Sequence, residues 1–287
     1  MILLDYYGIA VTSFMSEKQA CGMDENALRH VILNSIRHYN SKFRKKYGQM
    51  VIACDSSSWR RDKFPLYKHV RRTARKEQTD LDWTEIFRMI NAIRDEIADN
   101  FPYKVVMVPK CEADDVIGAL VEYTQEFGKH EEVMIVSADK DFLQLQRYPN
   151  VRQFSPRLKE EIVETNPIGF LFEHILRGDA SDGIPNVLSP DDIFTQSGVK
   201  QKSVTKRFVM ECKDNMDSLR AYMKEDTYRN YLRNKAIIDL TETPPELKER
   251  IVKEYETPVK GKNGMVLKYL IKNRLRNLIE KVQEFHS

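Results

Sequence analysis

Short runs of Val, Ile and Leu, each too brief for a helix, alternate through the first half of the chain with long stretches of helical periodicity. That alternation limits the fold more than any other feature. The runs fall at residues 2–4, 50–54, 105–108 and 133–136, and unbroken apolar runs of this length read as strands covered on both faces. Between the first two, residues 24–47 place Leu28, Val31, Ile32, Ile36, Tyr39 and Phe43 at helical spacing, with Gly48 as the stop. Residues 81–100 carry a second stripe (Trp83, Ile86, Phe87, Ile90, Ile93, Ile97). Residues 116–127 carry a third (Val116, Ile117, Leu120, Val121), closed by Gly128. Strand–helix–strand order predicts an α/β fold with a mostly parallel central sheet and helices on both faces. After about Gly178 no strand-like run recurs and the pattern is helical, broken by Pro, Gly and Ser. A first domain at 1–185 and a smaller helical domain at 186–287 are therefore expected.

With 41% hydrophobic and 31% charged residues in 287 positions, the chain has a globular composition. No window approaches 18 consecutive apolar residues, so no membrane span is expected. The start, Met1-Ile2-Leu3-Leu4-Asp5, has no basic segment of the kind that opens a signal peptide. Cys21, Cys54, Cys111 and Cys212 are widely separated with no C-x-x-C pair, which disfavours a disulfide framework and a zinc knuckle. A cytoplasmic protein is the expectation.

The formal charge of +3 conceals segregation. Arg60, Arg61, Lys63, Lys68, Arg71, Arg72, Arg75 and Lys76 share their segment with one acid, Asp62. The stretches 29–46 and 260–276, and the shorter set Lys200, Lys202, Lys206 and Arg207, contain no acid at all. One such run reads as a solvated helix face; several together are the footprint of a polyanion binder.

The acids sit where the strands end. Asp5 and Asp55 directly follow the first two runs. Glu112, Asp114 and Asp115 follow the third and open a helix; Asp139 and Asp141 follow the fourth. In a parallel sheet these ends converge on one edge, where open α/β sheets place their ligands. Asp179 and Asp182 are candidates to join from the loop that leaves the domain. Singly, Asp114, Asp115 or Asp139 reads equally well as a helix cap. Together, the carboxylates would repel and raise one another's pKa unless a cation neutralised them. An all-oxygen set suits Mg²⁺ or Mn²⁺ and not zinc, and two such ions about 4 Å apart serve phosphodiester hydrolysis. Neither a phosphate-binding G-x-x-x-x-G-K-[ST] loop nor a dinucleotide fingerprint occurs.

The order of these motifs resembles the structure-specific 5′ nuclease (flap endonuclease) family, with its PIN-like sheet. The resemblance rests on Asp5, Asp55, Cys111-Glu112-Ala113-Asp114-Asp115, Ser137-Ala138-Asp139-Lys140-Asp141-Phe142 and Gly178-Asp179-Ala180-Ser181-Asp182. It covers most of residues 1–185. Trp59-Arg60-Arg61-Asp62, Tyr67-Lys68 and Gln153-Phe154-Ser155-Pro156 look closest to the T-even bacteriophage ribonuclease H branch. The resemblance implies a 5′→3′ exonuclease and flap endonuclease that removes RNA primers during replication. It assigns Asp5, Asp55, Asp114 and Asp139 to a first metal, with Glu112 as direct or indirect ligand, and Asp115, Asp141, Asp179 and Asp182 to a second. It implies a basic arch at about 59–80 in which Lys68 and Arg71 steer the 5′ strand, with Arg60, Arg61, Arg72 and Arg75 beside them. Lys200, Lys202 and Lys206 become candidates for duplex contact. Tyr67, Tyr6 and Trp59 become candidates to stack on an unpaired terminal base, core packing being the alternative for one or two of them. The implied partners are DNA and RNA–DNA hybrids with 5′ ends, flaps or forks, a single-strand binding protein and a sliding clamp, the last two docking at the terminal helix that ends in Phe285. A monomer in the host cytoplasm is the implied setting.

Two departures from the family pattern stand out. Residues 183–207 keep Gly183 and Gly198 but are interrupted by Pro185, Pro190 and Asp191-Asp192, and Tyr6 follows the first acid where glycine is common. Rival readings are a non-catalytic branched-DNA binding protein of the same fold and a metal-dependent phosphatase for small esters, in which the basic runs have no use.

Overall fold

All four apolar runs are strands of one six-stranded sheet, formed by β1 (Ile2–Asp5), β2 (Met50–Ala53), β3 (Lys104–Val106), β4 (Val133–Val136), β5 (Val151–Ser155) and β6 (Glu160–Ile162). The helices, in chain order, are α1 (Tyr6–Cys21), α2 (Glu25–Tyr47), α3 (Arg60–Lys63), α4 (His69–Glu77), α5 (Trp83–Asn100), α6 (Ala113–Gln125), α7 (Pro167–Arg177), α8 (Lys206–Asp214), α9 (Leu219–Tyr222), α10 (Glu225–Ile238), α11 (Pro245–Glu256), α12 (Asn263–Lys272) and α13 (Arg276–Ile279). This computed structural model describes the chain apart from residues 22–23, 79, 126–128, 197 and 287 and the side chains of 17–21. Gly128, expected to close the third helix, lies outside the described residues.

By compactness the chain forms two units. One comprises Met1–Ser57, Asp82–Val163 and Pro244–Ser287; the other comprises Ser58–Leu81 and Glu164–Thr243. These units interleave along the sequence, whereas the expected division at residue 185 is a single cut; compactness and role are separate properties.

In the first unit the strand order is β3-β2-β1-β4-β5-β6. Every pairing is parallel except that of β6, which runs antiparallel to β5. The expected mostly parallel α/β sheet is therefore present. All residues of β2 and β4 are buried, as strands covered on both faces require. Chain order reverses at β1, which pairs with β2 on one side and β4 on the other. The carboxyl ends of β1 and β4 thus form the topological switch point of the sheet.

The long helices end where their local chemistry dictates. Asp24 caps α2 by accepting from the Asn26 N–H at 3.0 Å, and Gly48, at φ 77°, closes it with an N–H to the Arg44 carbonyl. Asp82 caps α5 through the Glu85 N–H. The α5 stripe buries Ile86, Ile90, Ile93 and Ile97, while Trp83 and Phe87 stay half-buried.

The C-terminal segment returns to this unit. Phe285 is fully buried, its ring 5.3 Å from that of Phe101, and Phe101 also meets Tyr269 at 5.1 Å. Asn40 on α2 donates to the Glu284 and His286 carbonyls, and Arg37 pairs with Glu284. The Phe285 ring, at the end of the segment expected to dock on a replication partner, is core.

The second unit is helical, as the pattern after Gly178 predicts. Phe172, Leu176, Val187, Val209 and Leu219 form one cluster. Phe64, Tyr67, Ile175, Ile184, Ile237 and Ile238 form another. The proline-broken stretch after Gly183 is held by buried amides. Asn234 donates to the Ile175 and Pro185 carbonyls, Asn230 to those of Val187 and Ser189, and Asn186 to that of Lys202. Side-chain amides thus satisfy carbonyls that no helix or sheet pairs.

Candidate active site

Asp5 is the last residue of β1, and its carboxylate turns back over the first turn of α1. One oxygen accepts from the Gly8 N–H at 3.0 Å, the other from the Ser137 hydroxyl at 2.9 Å. Gly8 permits this approach. A Cβ there would meet the Asp5 carboxylate well inside van der Waals contact. Ser137 follows β4, and its hydroxyl also accepts the Asp139 N–H at 3.1 Å. Gln153, fully buried on β5, donates to the Ser137 and Asp139 carbonyls at 3.0 and 2.6 Å and so fixes the turn that carries Asp139.

Asp55 follows β2 and accepts from the Ala113 N–H at 2.6 Å, at the first residue of α6. The carboxylate thus sits on a helix N-terminus, where orphan donors and the dipole favour negative charge. Asp115, fully buried, accepts from the Glu112 N–H at 2.8 Å, the backward half of a capping box. Glu112 is buried and Asp114 half-buried in the same turn. Asp139 is exposed and caps the short 3-10 helix Lys140–Arg147 by accepting from the Asp141 N–H at 2.9 Å. Capping contacts are therefore made by Asp115 and Asp139.

Convergence shows in the electrostatics. Burial, and then the charges of Asp55 and Asp139, push the Asp5 carboxyl up to about 6, against the pull of the Gly8 and Ser137 hydrogen bonds. A cluster of this sign, offering only oxygen donors, fits a hard divalent cation. Cys54 lies fully buried directly before Asp55, and burial raises its thiol well above the usual range, so it is no nucleophile.

The second unit holds the remaining candidates. Asp182 pairs with Arg71 and, at 3.7 Å, with Lys68; the Tyr67 hydroxyl donates to it at 3.3 Å. Lys68 itself stands at φ 56°, its N–H on the Asp182 carbonyl at 2.6 Å. Asp179 accepts from the Ser181 N–H and hydroxyl at 2.8 and 2.7 Å, with His174 at 3.7 Å. Burial works upward on Asp179, but the His174 and Ser181 hydrogen bonds outweigh it and hold the carboxyl well below the usual range.

Several candidates are placed inward. Arg60 is buried and donates to the Ile237 carbonyl at 2.8 Å. Trp59 and Tyr67 are buried, and Tyr6 is fully buried with its hydroxyl on the Ile90 carbonyl at 2.7 Å. Tyr6, Trp59 and Tyr67 therefore pack within their units, and Arg60 serves the interior, because its guanidinium satisfies a buried carbonyl. Arg72 and Arg75 are half-buried, whereas Arg61, Lys200, Lys202 and Lys206 are exposed.

Comparison with known proteins decides the family. Residues 1–169 match the family model described as 5′-3′ exonuclease, N-terminal resolvase-like domain, and residues 168–285 match that for the T4 RNase H C-terminal region. The chain belongs to the structure-specific 5′ nuclease family. It is 31% identical over 293 residues to the ribonuclease H of Enterobacteria phage T4, covering 99% of this chain and 95% of that one. It is 31% identical over 177 residues to a 5′-3′ exonuclease of Buchnera aphidicola (subsp. Acyrthosiphon pisum), covering 58% and 56% of the two chains. The fold is shared with the T5 5′-exonuclease solved with bound divalent metal ions (zinc), at a TM-score of 0.63 and 16% identity over 89% of this chain and 97% of that one.

The protein is thus a hydrolase of the metal-dependent 5′ nuclease type. Among its described residues no helix is long and apolar enough to cross a membrane. Two supports of this nuclease's acid site have roles that the sequence does not announce, although Ser137 stands in the motif that carries the resemblance. Gly8 carries its signal only as a glycine three residues after an acid. The Ser137 hydroxyl looks, in sequence, like any strand-end serine.

Proposed function

We propose that the protein is a 5′→3′ exonuclease and flap endonuclease that hydrolyses phosphodiesters of RNA–DNA hybrids and branched duplex DNA, removing RNA primers during replication. The observation that carries this reading is the Asp5 carboxyl, held up to about 6 between Asp55 and Asp139 at the switch point of a sheet that belongs to this family. Asp5, Asp55, Asp114 and Asp139, with Glu112, are the residues we assign to a first Mg²⁺; Asp115, Asp141, Asp179 and Asp182 are assigned to a second, Mn²⁺ being an alternative ion. Such ions, when bound, supply an activated water and charge stabilisation for the leaving oxygen. The chain's own tasks are then distinct. Gly8 and Ser137 orient Asp5, the Ala113 N–H at the N-terminus of α6 holds the Asp55 carboxylate in place, and Gln153 fixes the turn that presents Asp139.

We assign residues 1–185 the catalytic role, with the basic stretch 59–80 as an arch. Residues 186–287 take the duplex-binding role. Lys68 and Arg71 would contact the 5′ strand, with Arg61, Arg72 and Arg75 beside them, and Lys200, Lys202 and Lys206 the duplex. A monomer in the host cytoplasm, working beside a single-strand binding protein and a sliding clamp, is the corresponding setting.

The test is cleavage of a labelled 5′-flap duplex and of a matching RNA–DNA hybrid, each with Mg²⁺, with chelator, and with the Asp139→Asn variant. Metal-dependent release of short products from the 5′ side is expected, falling by orders of magnitude in Asp139→Asn while binding survives. Near-normal turnover by that variant would remove the metal assignment. Products released from the 3′ side would remove the polarity.

A further inference from the structure

The acid-free run from Arg29 to Lys46 has no part in the site described so far, and the structure sorts its cations by what they touch. Arg29 pairs with Glu25 and Glu96 at 2.8 and 2.7 Å, and Arg37 with Glu284. Lys46 faces Glu132 at 3.7 Å, while Lys42 lies 3.7 Å over the centre of the Phe154 ring. Arg44 and Lys45 are different. Among the described residues no acid pairs with either. With Ser41, Gly48 and Gln49 they line an open cavity of about 890 Å³. Ser41, Arg44, Lys45 and Gly48 stand at i, i+3, i+4 and i+7, which is one stripe of α2 and its cap. The lining contains no acid and no apolar side chain. Arg44 is held in place by donating to the His286 carbonyl, which leaves most of its guanidinium donors for a ligand. Cations at a helix C-terminus answer the dipole; that accounts for their presence but not for a cavity that acids avoid.

The cavity lies at the amino edge of the sheet. Gln49 directly precedes β2 and accepts the Ile2 N–H at 2.9 Å, whereas Asp55 follows the opposite end of that strand. Six positions separate the two, which at ~3.3 Å per strand residue puts the cavity about 20 Å from the acids.

We propose that Ser41, Arg44 and Lys45 hold phosphate oxygens of the substrate's uncut duplex, about six base pairs from the metal centre at ~3.4 Å per base pair. This rests on the nuclease reading above and adds to it an anchorage other than the basic stretch 59–80. The lining selects the occupant. Two cations and a hydroxyl match the oxygens of a phosphodiester. A small phosphorylated molecule would need an apolar wall for the rest of its body, and no side chain of that kind is present.

The test reads the salt dependence of binding, by fluorescence anisotropy in chelator, for the wild type, Lys45→Gln and Lys45→Glu. Melting temperatures equal to that of the wild type show that the fold is intact. One substrate is a 5′-flap with duplex arms of ~20 base pairs; the other has arms cut to ~4 base pairs and closed as hairpins, too short to reach 20 Å. On long arms Lys45→Gln should lower the slope of log affinity against log salt by about 0.9, the value of one phosphate, and Lys45→Glu should weaken binding further. On short arms the three proteins should bind alike. An unchanged slope on long arms would overturn the proposal, as would equal losses on both substrates. Inorganic phosphate and a nucleoside monophosphate are the other sources of such oxygens, and calorimetric titration tests them. Either one bound by the wild type and lost in Lys45→Glu, with equal long-arm slopes, would assign the cavity to a small anion and overturn the duplex contact. Slopes as expected, but no cleavage of the flap in Mg²⁺, would instead overturn the nuclease reading and leave the phosphate contact standing.

Discussion

Asp5→Asn should make the metal-free protein more stable, although it removes a group from the active centre. The Asp5 carboxyl sits at about 6 in the folded chain, against an ordinary value of 3.8. A carboxyl whose pKa rises on folding binds a proton more readily in the native state. Its contribution is therefore most favourable below about pH 4 and is lost as pH climbs through 6. Above that window the native state carries the full penalty of a buried, repelled charge. The rise from 3.8 to about 6 corresponds to roughly 3 kcal/mol, and solvent reaching the partly covered carboxylate reduces this to about 1–3 kcal/mol. Asparagine keeps the geometry: its oxygen can accept from Gly8, and its amide can donate to the Ser137 hydroxyl. In chelator at pH 8 the variant should melt about 2–8 °C higher than the wild type, and the gap should close as pH falls to 4. Saturating Mg²⁺ should reverse the order, because a cation that binds only the folded acid cluster stabilises the wild type by about 2.7 kcal/mol at a hundredfold excess over Kd. Calorimetry across pH, with and without metal, reads all three. A variant less stable than the wild type at pH 8 in chelator, or a gap that ignores pH, would refute the account of the site as stored repulsion.

Gly8→Ala should displace the Asp5 carboxylate and cut Mg²⁺-supported cleavage by at least tenfold with little change in flap binding; normal cleavage would show that the close approach is unimportant. Asp182→Asn, measured in chelator, should tighten DNA binding and steepen its salt dependence, since Lys68 and Arg71 lose their counter-ion; about 0.9 in slope is expected for each phosphate gained, and an unchanged slope would count against the pairing. Phe285→Ala should cost about 3–5 kcal/mol through loss of core packing, visible as a large fall in melting temperature; a variant that melts normally would return Phe285 to the surface.

The parts of the fold legible in sequence are those where one physical rule acts alone. The strands β1, β2 and β4 announce themselves because a strand covered on both faces must be apolar throughout. Residues Asp24 and Gly48 mark the ends of α2 because capping is local. β5 is not legible in sequence because Gln153, polar and fully buried, interrupts its apolar pattern. The interruption is there to hold the Asp139 turn, so the need of the site overrode the signal of the strand. α1 offers no clean stripe, since apolar side chains continue past its buried face from Phe14 onto the exposed neighbour Met15.

The nearness of Asp5, Asp55 and Asp139 is legible because each ends or closely follows a parallel strand of one sheet. Depth was not legible. Arg60 and Arg61 are neighbours in one basic run, yet one satisfies a buried carbonyl and the other faces solvent. Tyr6 and Tyr7 repeat the lesson beside Asp5. A charge run or an aromatic pair specifies composition, while the helix phase that turns one member inward depends on what packs against it.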